Sequence, residues 1–480
     1  MTHDLAGVSP QTGHATRTDA IPFWRTLLYS LGNAAGLLTY TTFNAFIQYF
    51  YTDVKGLPAH WVGRGWFAFG FWNAINDPVA GWLSDRTSTR WGRRRFFIGL
   101  LTVPTAIAFA LIWLPPLDGS NPTALLVYFL VIISLYDLLQ SIVTLNQDAL
   151  FPEMYQGTSS RASSASARQL IGFVVGNGMA VALTPTVYGR LGWDALAVLW
   201  GTLAALMYFA SLIGIQENPA YARQKRQPWR EQMRVVLGNR TFLIVLGINF
   251  TTRLILAVIV AAMPFYADYV LQITEEQLTQ VLLALFATSG FSVLLWQAVI
   301  RRVGTRAAML ASMGIAGVFA LPLLVTSSLT TTLIVMGLLG ASIGGVVLGP
   351  DMLFAEVVDE DYAKTGIRRE GMYRGILGFI FRFPPAVAGL LLGEGLALAG
   401  YRSGLAAGAQ PQEVIALIRV YLAFLPLVAL AGGIALLRIY PLHGEYLREI
   451  QQRVAHLHKR ATERRSCPAS SALESSGVSD

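Results

Sequence analysis

Apolar runs of helical length, punctuated by glycine, proline and short charged stretches, recur from about residue 25 to residue 440. About 20 apolar residues suffice for a helix to cross the hydrocarbon core of a bilayer. The runs predict twelve such helices, at 25–51, 60–84, 96–115, 122–150, 165–188, 194–215, 240–270, 279–300, 307–326, 330–358, 373–398 and 416–440. The expected fold class is an all-α membrane protein, and an even number of spans puts both termini on one side. After residue 440 the pattern changes: EYLREIQQRVAHLHKRATERR predicts an amphipathic helix at the membrane surface, and the Ser-rich end is too polar to bury a core.

The loops orient this array. Arg86, Arg90, Arg93, Arg94 and Arg95 follow the second span, Arg223, Lys225, Arg226, Arg230, Arg234 and Arg240 follow the sixth, and Arg301, Arg302, Arg306, Lys364, Arg368 and Arg369 follow later even-numbered spans, whereas the alternate loops hold little beyond Lys55, Arg190 and Arg402. Excess basic charge marks cytoplasmic loops, so both termini are expected in the cytoplasm. The polar stretch 216–239 falls midway and reads as a linker between two six-helix bundles, 25–215 and 240–440, flanked by a cytoplasmic segment 1–24 and a cytoplasmic tail 441–480. A repeat supports the division. LNQDALFPEM at Leu145–Met154 and LGPDMLFAEV at Leu348–Val357 share Leu, Asp, Leu, Phe and Glu in register, and RWGRR at 90–94 echoes RVGTR at 302–306. Duplicated six-helix units with a site between them at mid-bilayer are a recurring transporter design.

Composition agrees with a lipid environment: 54% of the 480 residues are hydrophobic and 13% are charged. The net charge of +8 sits in short loops between apolar runs, which encodes orientation and argues against a nucleic-acid partner. The single cysteine, Cys467, permits no disulfide within one chain. Residues 1–20 lack the short apolar core of a cleavable signal peptide. No nucleophile with a base and an orienting partner emerges from the helices, no metal set does, and His456 with His458 falls short of a tetrahedral site, so an enzyme and a bound cofactor are not expected.

A charge at mid-bilayer costs roughly 2.5 to 3.5 kcal/mol on insertion scales, so each one kept there asks for a reason. The second span carries Asn73, Asn76 and Asp77; Asn73 and Asp77 share a face, and Pro78 frees a backbone carbonyl one turn back that a cation can use. On the fourth, Asp137, Gln140, Ser141, Thr144 and Asp148 fall along one stripe. Arg168, Arg253 and Arg382 are the buried cations; Arg253 is open to a snorkelling explanation, and Arg382 lies well inside its span. Asp148 and its repeat partner Asp351 sit near cytoplasmic helix ends, where carboxylates form gate ion pairs. In GWLSDRTSTRWGRRR (Gly81–Arg95), Asp85, Arg86, Arg93 and Arg94 cluster in a short turn suited to locking one transport state. Gly172 with Gly176 and Gly345 with Gly349 allow close helix packing.

At these residues the chain resembles the major facilitator superfamily, and within it the glycoside-pentoside-hexuronide:cation symporters typified by melibiose permease. The segments that carry the resemblance are YTDVKGL (Tyr51–Leu57), NAINDPVAGWLSDRTSTRWGRRR (Asn73–Arg95), ALFPEM (Ala149–Met154) and AEVVDEDYAKTGIRREGMY (Ala355–Tyr373). The resemblance implies two six-helix bundles around a central cavity and uptake driven by sodium, lithium or protons. Asp77 stands where the family has one of two cation carboxylates on the second helix; the other position is Asn73. The family's fourth-helix aspartate falls at Thr144, which leaves Asp148 or Asp137 to take its place, and its first-helix sugar aspartate falls at Leu37. Arg168 matches a cavity arginine, and Arg382 replaces a lysine. Fewer carboxylates weaken an oxygen cage for sodium, while a proton needs only one.

The expected function is therefore symport of a small sugar or glycoside coupled to H+ or Na+, with acidic or sulfonated derivatives favoured by the retained arginines. The expected cation site is Asp77, Asn73 and Thr144; the expected substrate contacts are Arg168, Arg382, Asp137, Gln140 and Tyr373; the expected gate is Asp85, Arg86, Arg93, Arg94, Asp148 and Asp351. The other readings are symport of an amphiphile such as a lysophospholipid and a non-transporting membrane receptor or assembly factor. The expected setting is a bacterial inner membrane, with the lipid bilayer as partner and a functional monomer.

Overall fold

The computed structural model describes residues 21–86, 92, 94–155, 164, 167–216, 229–367, 369–405 and 407–466, and for 77–79, 81–86, 152, 173, 229–232, 407 and 458–466 the backbone path alone. Helices account for the regular structure, with no strand among the described residues. They are α1 (Phe23–Tyr49), continued by a π-helical turn (Phe50–Val54), α2 (Ala59–Arg86), α3 (Arg94–Trp113) and α4 (Pro122–Met154). The segment Ala167–Gly214 is interrupted at Gly192, whose φ of 85° is non-helical, and gives α5 (167–191) and α6 (193–214). Then come α7 (Trp229–Leu237), α8 (Arg240–Phe265) with a π-helical end (Tyr266–Leu271), α9 (Glu275–Val303), α10 (Thr305–Ala320), α11 (Leu329–Thr365), α12 (Glu370–Ile380), α13 (Phe383–Leu398), α14 (Gln412–Ile439) and α15 (Gly444–Ser466).

Among the described residues, nine helical segments are long and apolar enough to cross a membrane. Ala167–Gly214 counts among them once, although Gly192 divides it. α1 and α2 are not among the nine. Both carry polar groups along their length, Asn33, Thr41, Asn44 and Gln48 on α1 and Arg64, Asn73, Asn76 and Asp77 on α2. This dilution of apolar character is what helices facing an interior cavity show.

The outline departs from the sequence expectation in three places. The predicted span 330–358 runs on to Thr365, because the acidic stretch after Pro350 keeps its helix and its carboxylates find partners: Glu356 accepts from Thr305 (2.7 Å) and Tyr440 (2.8 Å), and Asp361 pairs with Arg369 (3.0 Å). The predicted span 373–398 is broken at Phe381–Arg382 between α12 and α13, where Pro384 and Pro385 offer no N–H to the preceding turn. The linker holds a helix, α7, within 216–239. The tail helix forms as expected, but α15 docks on α11, with Ile450 and Val454 buried and Tyr446 donating to Glu360 (2.9 Å).

Helices α1–α6 form one group and α8–α14 another. The groups meet most closely where α2 crosses α13. A Cβ on Gly63 would lie 2.9 Å from the Gly389 carbonyl, and one on Gly393 would lie 2.4 Å from the Ala59 carbonyl, so only glycine permits this approach. The end of the bundle where α1 begins and α14 finishes is called here the terminal end, and the opposite one the distal end. At the terminal end Gly92 and Gly304 occupy matching places in the repeated turn, with φ of 98° and 85°, a backbone that disfavours side-chain-bearing residues.

Candidate functional site

A cavity of 430 Å³ lies between the two groups, halfway along the bundle. α1 contributes Tyr40, Thr41, Asn44 and Gln48. Steps of four place Tyr40, Asn44 and Gln48 on one face of that helix. Trp66 comes from α2 and Asn177 from α5. From the other group α8 supplies Arg253 and an apolar wall that includes Leu256 and Val260, α9 supplies Phe286, and the break between α12 and α13 supplies Phe381 and Arg382. The proline-induced break thus turns a helix interior into a cavity wall.

The polar groups of the cavity are arranged by their own contacts. Arg382 Nη1 donates to the Tyr40 hydroxyl across the two groups (3.2 Å). The Arg253 guanidinium lies 3.4 Å from the centre of the Phe381 ring, a stacking geometry in which the ring face takes up part of the cation's field and the guanidinium edge keeps its donors. Thr41 donates to Asn177 (2.7 Å), Asn44 to the Tyr40 carbonyl (2.8 Å) and Trp66 to the Pro385 carbonyl (3.1 Å). Gln48 is 4% exposed, and its amide nitrogen has no acceptor among the described residues. None of the described lining residues is a carboxylate. The cavity therefore presents two guanidinium groups, several amides and four aromatic rings, a set matched to a solute with an anionic group and a polar, ring-bearing body.

A second polar layer lies between α2 and α4, outside this lining. Asn73, Asn76 and Asp137 are buried, and Asn76 donates to Asp137 (2.9 Å). The side-chain oxygens of Asn73 and Asn76 are buried and without a donor among the described residues, an arrangement open to a cation or a further hydrogen-bond donor at this spot. Gln140 donates to Thr144 (3.2 Å) and to Tyr208 on α6 (3.0 Å). Asp77 belongs to the same stretch of α2, but its side chain lies outside the described residues.

Nearer the terminal end, Arg168 forms an ion pair with Asp148, donates to Asn33 (3.2 Å) and lies over the rings of Phe151 (5.5 Å) and Tyr29 (5.9 Å). Its counterpart in the other group is Arg374 over Phe354 (4.8 Å), and Phe151 and Phe354 are equivalent in the sequence repeat. Arg94 pairs with Glu153 (3.0 Å). Asp351 is exposed and is an electrostatic neighbour of Arg253. The Asp85 and Arg86 side chains and the whole of Arg93 lie outside the described residues.

Of the residues expected to meet substrate, the structure places Arg382 on the cavity wall. Arg168 sits with Asp148, Asp137 and Gln140 sit in the α2–α4 layer, and Tyr373 is fully buried against Phe242 and accepts from Asn239 (3.1 Å). Of the residues expected around a cation, Asn73 is buried on α2, and Thr144 on α4 accepts from Gln140. The sequence reading named no role for Tyr40, Asn44, Gln48, Trp66 or Phe381. The stripe at 40, 44 and 48 was the available signal for three of them.

A cavity shared by two helix groups, walled by polar helices inside an apolar bundle, is the architecture of a multi-pass membrane transporter. The comparisons with known proteins agree and supply the family. Residues 28–444 match the model of the MFS/sugar transport protein family, and the chain belongs to that family. The isoprimeverose transporter of Lactiplantibacillus pentosus is 25% identical, over 95% of this chain and 97% of its own. The glucuronide carrier protein homolog of Escherichia coli is 27% identical over 89% and 94%, and the sodium-dependent lysophosphatidylcholine symporter 1-A of Danio rerio 24% over 89% and 87%. Among solved structures, a bacterial homolog of the human lysosomal transporter Spinster, inward-facing and unoccupied, superposes with a TM-score of 0.65 at 14% identity, covering 91% of this chain and 98% of its own. That likeness concerns the fold alone.

Proposed function

We propose that the protein is a twelve-span secondary transporter that takes up an anionic sugar or glycoside together with a proton or sodium ion, by alternating access of two six-helix groups. The observation that carries the reading is the cavity lining: Arg253 and Arg382 stand among amides and aromatic rings, with no carboxylate among the described lining residues. Two guanidinium groups on one cavity wall suit an anionic group on the solute, which each can meet with charge-assisted hydrogen bonds. The amides and rings around it suit the hydroxyls and apolar faces of a sugar. The glucuronide and isoprimeverose carriers among its relatives support a sugar or glycoside as the substrate.

The basic helix ends at Arg94, Arg95, Arg301, Arg302 and Arg306 favour a cytoplasmic terminal end. Among the described residues the bonds that join the two groups cluster at the distal end, with the Arg382–Tyr40 bond halfway. This supports a cavity facing the cytoplasm. Ion coupling is supported by the buried oxygens of Asn73, one helical turn before Asp77, and of Asn76, next to Asp77 and bonded to Asp137. The matching turns at Gly92 and Gly304 and the matching Arg–Phe contacts support the duplicated organisation.

The apolar wall on α8 and α9 gives a second reading some support, an amphiphile with an anionic headgroup, as in the lysophosphatidylcholine relative. Uptake into proteoliposomes of a panel of glucuronides, neutral glycosides, sulfosugars and lysolipids, under imposed pH or sodium gradients, separates these readings. Gradient-driven accumulation of an anionic glycoside, made independent of the gradient by Asp77→Asn, is the expected result. Uptake indifferent to both gradients removes coupling, and uptake of lysolipid alone transfers the assignment to the second reading.

A further inference from the structure

The arginines of the cavity and the amide layer belong to the reading above. The distal end carries something separate, and it begins with an echo in sequence: Phe50-Tyr51-Thr52-Asp53 closes α1 and Phe265-Tyr266-Ala267-Asp268 closes α8. Both tetrads lie where an α-helix gives way to a π-helical turn, Phe50–Val54 in one and Tyr266–Leu271 in the other. A π turn is a locally costly conformation that persists only where its surroundings hold it, and it recurs at functional positions.

The surroundings hold both turns in the same way. Tyr51 and Tyr266 are fully buried. The Tyr51 hydroxyl donates to the Ile112 carbonyl (3.0 Å) at the distal end of α3, and the Tyr266 hydroxyl to the carbonyls of Leu323 (3.3 Å) and Thr326 (3.1 Å), just past the distal end of α10. Each tyrosine thus anchors its turn inside its own helix group. The aspartate two residues on points the other way. Asp53 accepts from Tyr269 and Tyr401 of the opposite group, and Asp268 accepts from Tyr49 of the first. The two phenols on Asp53 are themselves 3.2 Å apart, and Ser403 donates to the Asp53 carbonyl (3.4 Å). The rings interlock around these bonds: Tyr49 meets Phe265 edge-on at 5.3 Å, and Tyr269 meets Tyr401 at 5.7 Å.

We propose that these two exchanged aspartates form a reciprocal latch that holds the distal end of the protein shut, each helix group presenting one carboxylate to the phenols of the other. The geometry explains why both turns are built alike. A rigidly mounted acceptor in one group and donor phenols in the other let the bonds break together when the groups separate, while each turn stays attached to its own side. Hydrogen bonds from a hydroxyl to an ionised acceptor are stronger than neutral ones, so these outweigh the exposed ion pairs that also cross the distal end. Arg64–Glu394, with the arginine 63% exposed, and Arg190–Glu276, with the arginine 67% exposed, contribute little by comparison. The latch is asymmetric: Asp53 holds two phenols and Asp268 one.

The test reads conformation and does not require a transported substrate, so its outcome is independent of the proposed transport activity. In a Cys467→Ser background, spin labels at Ser120→Cys and Ser327→Cys, on exposed distal loops of the two groups, report the distal separation of the full chain in nanodiscs by pulsed electron resonance. The unaltered chain should give one short-distance population. The Tyr269→Phe/Tyr401→Phe double variant keeps the rings and removes the hydroxyls; its open-to-closed ratio should rise about tenfold or more. Asp53→Asn should open the distal end further than Asp268→Asn, and Arg64→Gln should leave the distances unchanged. If the double variant is not monodisperse, the single variants Tyr49→Phe and Asp53→Asn carry the same comparison. Distance distributions of the tyrosine or aspartate variants that superpose on the unaltered chain, or an Arg64→Gln shift of equal size, overturn the latch.

Discussion

The two sides of the bundle interior differ in kind. On the C-terminal side the cavity wall is cationic and aromatic, built from Arg253, Phe381, Arg382 and Phe286. On the N-terminal side the α2–α4 layer is made of amides and a buried carboxylate, Asn73, Asn76, Asp137 and Gln140. A low-dielectric interior strengthens the field of each region, so the two regions favour mobile partners of different sign. Under the proposed transport cycle, the solute's anionic group belongs with the first region and the coupling ion with the second.

The strongest way to break this division is Arg382→Ala. It removes the Tyr40 bond and a guanidinium from the cavity, and uptake efficiency for an anionic glycoside should fall about a hundredfold, the scale of a lost hydrogen bond to a charged group; Arg382→Lys should recover part of it, since the fork geometry is gone but the charge stays. Substituting Asp137 by Ala leaves the Asn76 amide without that acceptor. A loss of about 1–3 kcal/mol is expected by thermal unfolding, together with weaker dependence on the ion gradient and no change in preference among substrates. A change of preference in Asp137→Ala, or loss of coupling in Arg382→Ala, would erase the distinction between the regions.

Arg253→Gln sharpens the comparison. With the Phe381 ring left in place, selectivity for an anionic over a neutral glycoside should drop about tenfold, measured by competition uptake. The smallest effect is expected from Tyr373→Phe, which removes one bond to Asn239 far from the cavity lining; thermal stability should fall by about 1 kcal/mol, and transport selectivity should be unchanged.

The helices were legible because a bilayer demands long apolar runs, and their punctuation by glycine and arginine survives inspection of one sequence. Where the pattern misled, a local partner overrode it. The acidic end of α11 reads as a loop until Thr305, Tyr440 and Arg369 are seen to satisfy its carboxylates. The Phe381–Arg382 break lies inside an apolar run whose two prolines are its only mark. Buried charge drew attention to Arg382, while the neutral residues that surround it, Tyr40, Gln48 and Trp66, carry no cost that sets them apart in a sequence. Gln48 becomes conspicuous only in three dimensions: a Cβ on Gly389 would fall 1.7 Å from its amide nitrogen, so the amide is wedged where the two helix groups touch. The echo between the ends of α1 and α8 was also present in the chain, four residues against four, too short to stand out before the shared π turns drew them together.

Equilibrium binding to the purified protein, comparing a glucuronide with the glucoside that differs from it only at the carboxylate, tests the cavity assignment most directly. Binding of the glucuronide at least tenfold tighter than the glucoside, with the advantage lost in Arg382→Gln, is the predicted result. Equal affinities, or an advantage that persists after the substitution, would contradict it.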